Sequence, residues 1–133
     1  MPLMFLNGEG MKGGQAHPHI AGSSFLGPCS TAPLYRFFAF GHEFPGLVPD
    51  PARGGSIIGE LYDVPMDKLQ RLLATEPPEL ELSIVTLADG RLSFGMIVRP
   101  GREVSAGAVD ITDTASWRRF KGEDASSDEH DGT

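Results

Sequence analysis

The sequence predicts an α+β domain built mainly from short strands with few helices. Glycine (17) and proline (11) are too frequent among the 133 residues for a helical bundle, and they divide the chain into pieces of strand length. Two consecutive pieces, Leu80–Leu87 and Leu92–Val98, alternate apolar and polar residues around Asp89-Gly90, the pattern of a half-buried hairpin. One stretch starting at Pro65 repeats Met66, Leu69, Leu72 and Leu73 at the spacing of an amphipathic helix.

The chain opens with an apolar run, Leu3–Leu6, that breaks into Asn7-Gly8-Glu9-Gly10-Met11-Lys12-Gly13-Gly14. Four glycines in eight residues exclude a regular element there and bare the backbone, so that successive N–H groups can face an anion. Neither a nucleotide P-loop nor a dinucleotide fold is expected, because the first spacing is absent and Pro18 stands where the second needs helix. His17 and His19 follow and are expected to face solvent. Phe25–Thr31 reads as a strand interrupted by Gly27-Pro28, hence an edge or a bulge, with Cys29 as a small filler. Leu34–Phe40 is the most strand-like run and is expected near the centre of the sheet. Residues 41–51, with three prolines beside Phe44 and Leu47, read as a long loop of the kind that lines a site, and Ser56–Val64 as a further strand.

Pro65 suits the first position of a helix and Asp67 its first turn. Pro77 disfavours the α conformation at Glu76 and ends the helix there, which leaves the Glu76 carboxyl fixed on the face shared with Leu72 and Leu73. Burial raises the pKa of such a group toward the range useful for proton transfer; the alternative is a glutamate that snorkels or pairs with an arginine. Beyond Pro100-Gly101, Asp113 or Thr114 is placed to cap a short helix containing a packed Trp117.

Residues 1–121 form one domain and 122–133 an acidic tail. Five of the 18 acidic residues lie after position 122, leaving 13 against 11 basic residues in the body of a chain with net charge -7. No basic stripe recommends nucleic acid or a membrane surface as partner. Cys29 is the one cysteine, which excludes an internal disulfide and fits a reducing compartment, and cytoplasm is the expected location. No spacing of His, Cys and carboxylates indicates a metal site. The oligomeric state, monomer or homodimer, is left open.

The order of features resembles the gamma-glutamylcyclotransferase-like family. "MFLNGEGMKGG" is similar to its strand and glycine loop, "SFLGPCSTAPLYRFFAFGHEFPGLVPD" to its paired strands with a Pro-Gly loop, and "GGSIIGELYDVPMDKLQRLLATE" to the strand and helix leading to its catalytic glutamate. "TAPLYRFFAF" and "EPPELELSIVTLADGRLSFGMI" also resemble the allophanate hydrolase C-terminal domain, which shares the fold. The resemblance implies a small mixed β-barrel with a few packed helices and a cavity floored by the glycine loop. It implies an enzyme without cofactor, in which an α-amino group attacks a γ-amide to release 5-oxoproline and an amine or amino acid. Carried over, Glu76 is the base, and Asn7, Gly8, Glu9, Gly10 and Met11, with Phe44, Pro45 and Gly46, hold a small substrate bearing carboxylate and amide groups. Glu9 would repel a carboxylate unless its side chain turned outward. Two other readings remain: an allophanate-hydrolase-related domain acting on small carboxylated nitrogen compounds, and a ligand-binding module without turnover.

Overall fold

The computed structural model describes residues 2–122, so all of the predicted acidic tail except Gly122 lies outside the described residues. Eight strands form one sheet: β1 Leu3–Leu6, β2 Ser24–Ser30, β3 Tyr35–Phe40, β4 Phe44–Pro49, β5 Ile58–Asp63, β6 Leu80–Thr86, β7 Leu92–Val98 and β8 Val109–Asp110. Three helices, α1 Met66–Ala74, α2 Arg102–Ser105 and α3 Trp117–Lys121, and a 3-10 turn at His17–Ile20 complete the described residues.

β7 is the pivot. One of its edges pairs antiparallel with β6 from Leu80↔Val98 to Thr86↔Leu92, and Gly90 takes the positive φ that the Asp89-Gly90 turn requires. Its other edge is shared by two parallel partners, β1 at Met4↔Phe94 and β4 at Leu47↔Ile97. The main path runs β2-β5-β1-β7-β4-β3-β8, a curled mixed sheet that makes a half-barrel. The fold is thus the expected α+β arrangement of a mixed sheet with few helices. Because β1 and β4 share the edge of β7 without pairing with each other, the loop leaving β1 meets the start of β4.

The sheet closes on a core that includes Phe5, Phe37, Leu47, Leu61, Leu72 and Trp117. A smaller cluster of Phe38, Phe40, Leu80 and Val98 covers the other face of β3. β3 is therefore apolar on both faces although it lies next to the short β8 rather than at the sheet centre, which corrects the expectation drawn from its aromatic content. The segment read as loop around Phe44–Pro49 is β4. Its prolines, opposite Ala39 and Tyr35 on β3, are tolerated because β4 meets β7 only at Leu47, so neither proline serves two ladders. The predicted irregularity in β2 is a register shift between Phe25 and Gly27, with Gly27 at φ +116°.

α1 begins where Pro65 directs it, with Pro65 in the capping position, and ends at Ala74, two residues before Glu76. The Thr75 and Glu76 N–H groups still reach the Leu72 and Leu73 carbonyls at 3.1 and 3.2 Å, a tightened last turn. Leu69 and Leu72 are the buried face, whereas Met66, expected on that face, is 68% exposed. Ser116, not Asp113 or Thr114, caps α3: its hydroxyl accepts from the Arg119 N–H.

Candidate functional site

The loop leaving β1, the beginning of β4 and the three residues after α1 surround an open cavity of about 300 Å³. Asn7, Gly8, Glu9, Gly10, Phe44, Pro45 and Glu76 all line it, so the three predicted segments converge. Met11 and Gly46 do not. Met11 belongs to the main core, and Gly46 is confined between strands, where an added Cβ would lie 2.5 Å from Val98 and 2.8 Å from Leu80. At Gly8 the same geometry joins loop to strand: a Cβ there would lie 2.6 Å from the Pro45 ring, so glycine lets the loop cross the start of β4.

The loop consumes some of its own amides. Met11 N–H donates to Gly8 O, Gly14 N–H to Met11 O and Ala16 N–H to Glu9 O, at 2.9–3.1 Å. Lys12 N–H donates to Glu60 Oε1 at 2.9 Å. Gly8, Glu9 and Gly10 line the cavity, and their N–H groups have no acceptor among the described residues. Three successive unpaired amides are suited to an anionic or carbonyl oxygen. Asn7 is 8% exposed, and its Nδ2 is buried without a partner. Such a donor is unsatisfied until an acceptor arrives.

The Glu9 carboxylate is engaged elsewhere. It accepts from the Gln15 N–H at 3.0 Å, from Trp117 Nε1 at 2.7 Å and from Lys121 Nζ at 2.9 Å. Burial alone acts to raise its pKa, but these donors outweigh burial and hold it below the ordinary carboxylate value. Glu9 therefore couples the glycine loop to α3. A second tie supports it: Arg118 donates to Lys12 O and to the buried Glu60, which also accepts from the Tyr62 hydroxyl at 2.8 Å. Burial opposes ionisation of Glu60 too, and the same donors prevail to lower its pKa. Phe120 stacks on His42, beside the cavity residue Glu43, so α3 also touches the segment that leads into β4.

Glu76 differs from both. Its carboxyl has no hydrogen bond or ion pair with a described residue, and burial pushes its pKa up to about 7. A carboxyl so placed exchanges protons near neutral pH. The sequence reading missed His19, expected in solvent but half-buried in the cavity wall. It also missed Gln15, Glu43 and Thr75, which line the same space. His17, two residues away, is turned toward the loop, where Nδ1 meets Gly10 O at 2.9 Å. Pro18 between the histidines was the available signal, since it fixes a turn that directs them apart. Cys29 lies outside the cavity, and burial raises its thiol pKa. Among the described residues no group of three or more His, Cys, Asp or Glu is arranged to hold a metal, and no helix is long and apolar enough to cross a membrane.

Comparison with known proteins identifies the architecture. No curated protein matches the chain. Among solved structures, a uropathogenic E. coli-specific protein is 28% identical with a TM-score of 0.84, over 91% of this chain and 95% of that one. Kluyveromyces lactis allophanate hydrolase is 24% identical with a TM-score of 0.82; the likeness covers 91% of this chain but 21% of the hydrolase, about a fifth of its length. An aig2-like protein from Mus musculus shares the fold at 21% identity and a TM-score of 0.58, over 74% of this chain and 77% of that one. The model of the allophanate hydrolase C-terminal domain matches residues 2–122, nearly the whole chain. The chain belongs to the allophanate hydrolase C-terminal domain family.

Proposed function

We propose that the protein is a small-molecule enzyme in which Glu76 removes a proton from substrate nitrogen. The observation that carries this reading is a cavity carboxyl with no partner among the described residues and a pKa of about 7, close to where a general base works best. The unpaired amides of Gly8, Glu9 and Gly10 and the unsatisfied Asn7 Nδ2 supply donors for substrate oxygens. Donors held in place this way favour charge that develops on oxygen during acyl transfer. The volume, about 300 Å³, suits a ligand of amino-acid or dipeptide size.

The reaction assigned is attack of an α-amino group on a γ-amide, forming 5-oxoproline and releasing an amine or amino acid. The amino nitrogen attacks the carbonyl carbon of the γ-amide, its proton passes to Glu76, and the oxygen rests on the loop donors as the carbon becomes tetrahedral. The C–N bond to the leaving amine then breaks. Among the described residues no Lys or Arg lines the cavity, which favours a zwitterionic or amide-bearing substrate over a small dianion. The family match supports a second reading, a small carboxylated nitrogen compound as substrate.

Mass spectrometry of purified protein with γ-glutamyl amines and dipeptides separates the two. Release of 5-oxoproline by the wild type, abolished by Glu76→Gln, is the expected result. Carbon dioxide or ammonia from small carboxylated amides, without 5-oxoproline, would replace the first reading by the second.

A further inference from the structure

Two half-buried titratable side chains of the cavity have no partner among the described residues. Of its carboxylates, Glu9 is held by Lys121, Trp117 and Gln15, and Glu43 is exposed at the opening. Glu76 is unpartnered. So is the His19 ring: its backbone N–H closes the 3-10 turn on Ala16 O, but neither ring nitrogen has a partner among the described residues. The contrast with His17 is informative. His17 is spent on Gly10 O and on a ring contact with Tyr62 at 5.7 Å, which fixes the turn, and Pro18 between the two leaves His19 in the cavity wall. The two free groups come from separate elements, the 3-10 turn after the glycine loop and the segment after α1.

We propose that His19 is a second catalytic residue, the acid that protonates the departing amine. This rests on the cyclotransfer reading above and adds the step that reading leaves without a donor. An alkylamine leaves a tetrahedral carbon poorly as an amide anion, so its nitrogen must take up a proton as the C–N bond breaks. In the full step the attacking nitrogen bonds to the carbonyl carbon of the γ-amide and its proton goes to the Glu76 carboxylate. The C–N bond to the leaving group then breaks as that nitrogen takes a proton from the His19 ring. One proton has been taken up and one given, and exchange with water after product release resets both groups. Two groups on separate elements allow removal and delivery at the two nitrogens of one carbon, a division of roles that a single carboxyl performs only by reorienting.

The test uses two γ-glutamyl amides that differ in leaving-group basicity. An alkylamide needs protonation to depart, whereas a p-nitroanilide needs it far less. His19→Gln, with His19→Asn as a second variant, is expected to lower kcat for the alkylamide about 100-fold and to change p-nitroaniline release by less than roughly threefold. Glu76→Gln should abolish both. Equal losses on the two substrates in either histidine variant would make His19 a structural residue and overturn the assignment while the cyclotransfer reading stands. A wild type that releases 5-oxoproline from neither substrate would overturn both together.

Discussion

Replacing Glu76 by glutamine tests the physical basis of the site without any substrate. Burial moves the carboxyl from an ordinary value of 4.5 to about 7. Below pH 4.5 the group is protonated in the folded and unfolded chains alike and stability is indifferent to it. As pH rises from there, the unfolded chain ionises first, so stability is lost until the folded chain ionises near pH 7, and it is level above that. Each pH unit of that interval is worth about 1.4 kcal/mol, so the wild type should lose about 3 kcal/mol across it. Glutamine keeps the shape and cannot ionise. Glu76→Gln should therefore match the wild type at pH 4 and exceed its stability by about 3 kcal/mol at pH 8, roughly 10 °C in Tm. Urea unfolding followed by the fluorescence of Trp117, the one tryptophan and fully buried, gives the comparison at each pH. A difference that stays constant from pH 4 to pH 8 would refute the argument, because Glu76 would then have the same pKa folded and unfolded.

Three further substitutions separate binding from support. Asn7→Leu removes a buried donor that has no protein partner, so stability should hold within about 1 kcal/mol or rise, while calorimetry should record loss of ligand affinity. Gly8→Ala sets a methyl 2.6 Å from Pro45; a shift of the loop costing about 1–3 kcal/mol in urea unfolding is expected, with turnover lost. Trp117→Phe leaves the ring in the core but withdraws the 2.7 Å bond to Glu9, at a cost of about 1.5–3 kcal/mol. That loss should shrink as acid protonates Glu9, since its pKa is depressed in the fold and the stability it supplies is lost as pH falls through that value.

The local elements were legible because their signals are local. Pro65 and the leucine spacing specify α1, and Asp89-Gly90 specifies the hairpin. Glu76 was legible for the same reason: Pro77 fixes where the helix direction fails, and helical spacing fixes the face. What lay hidden depends on pairing across the chain. β4 carries prolines that read as loop, and only the arrangement in which β1 and β4 divide one edge of β7 shows why a strand survives there. Glu9 looked like a repulsive charge in an anion cradle because its partners, Trp117 and Lys121, lie more than a hundred residues away. His19 was taken for a surface residue because Pro18 marks the turn but not which side of it joins the cavity wall.

The most direct measurement of the central claim is the pH dependence of kcat/KM for 5-oxoproline release from a γ-glutamyl amine, with wild type and Glu76→Gln side by side. The wild-type rate should rise as Glu76 ionises, with an apparent pKa of about 7, and the variant should lack both the rate and the rise. A profile flat between pH 5 and 8, or a Glu76→Gln protein that turns over as fast as the wild type, would contradict the assignment of Glu76 as the base.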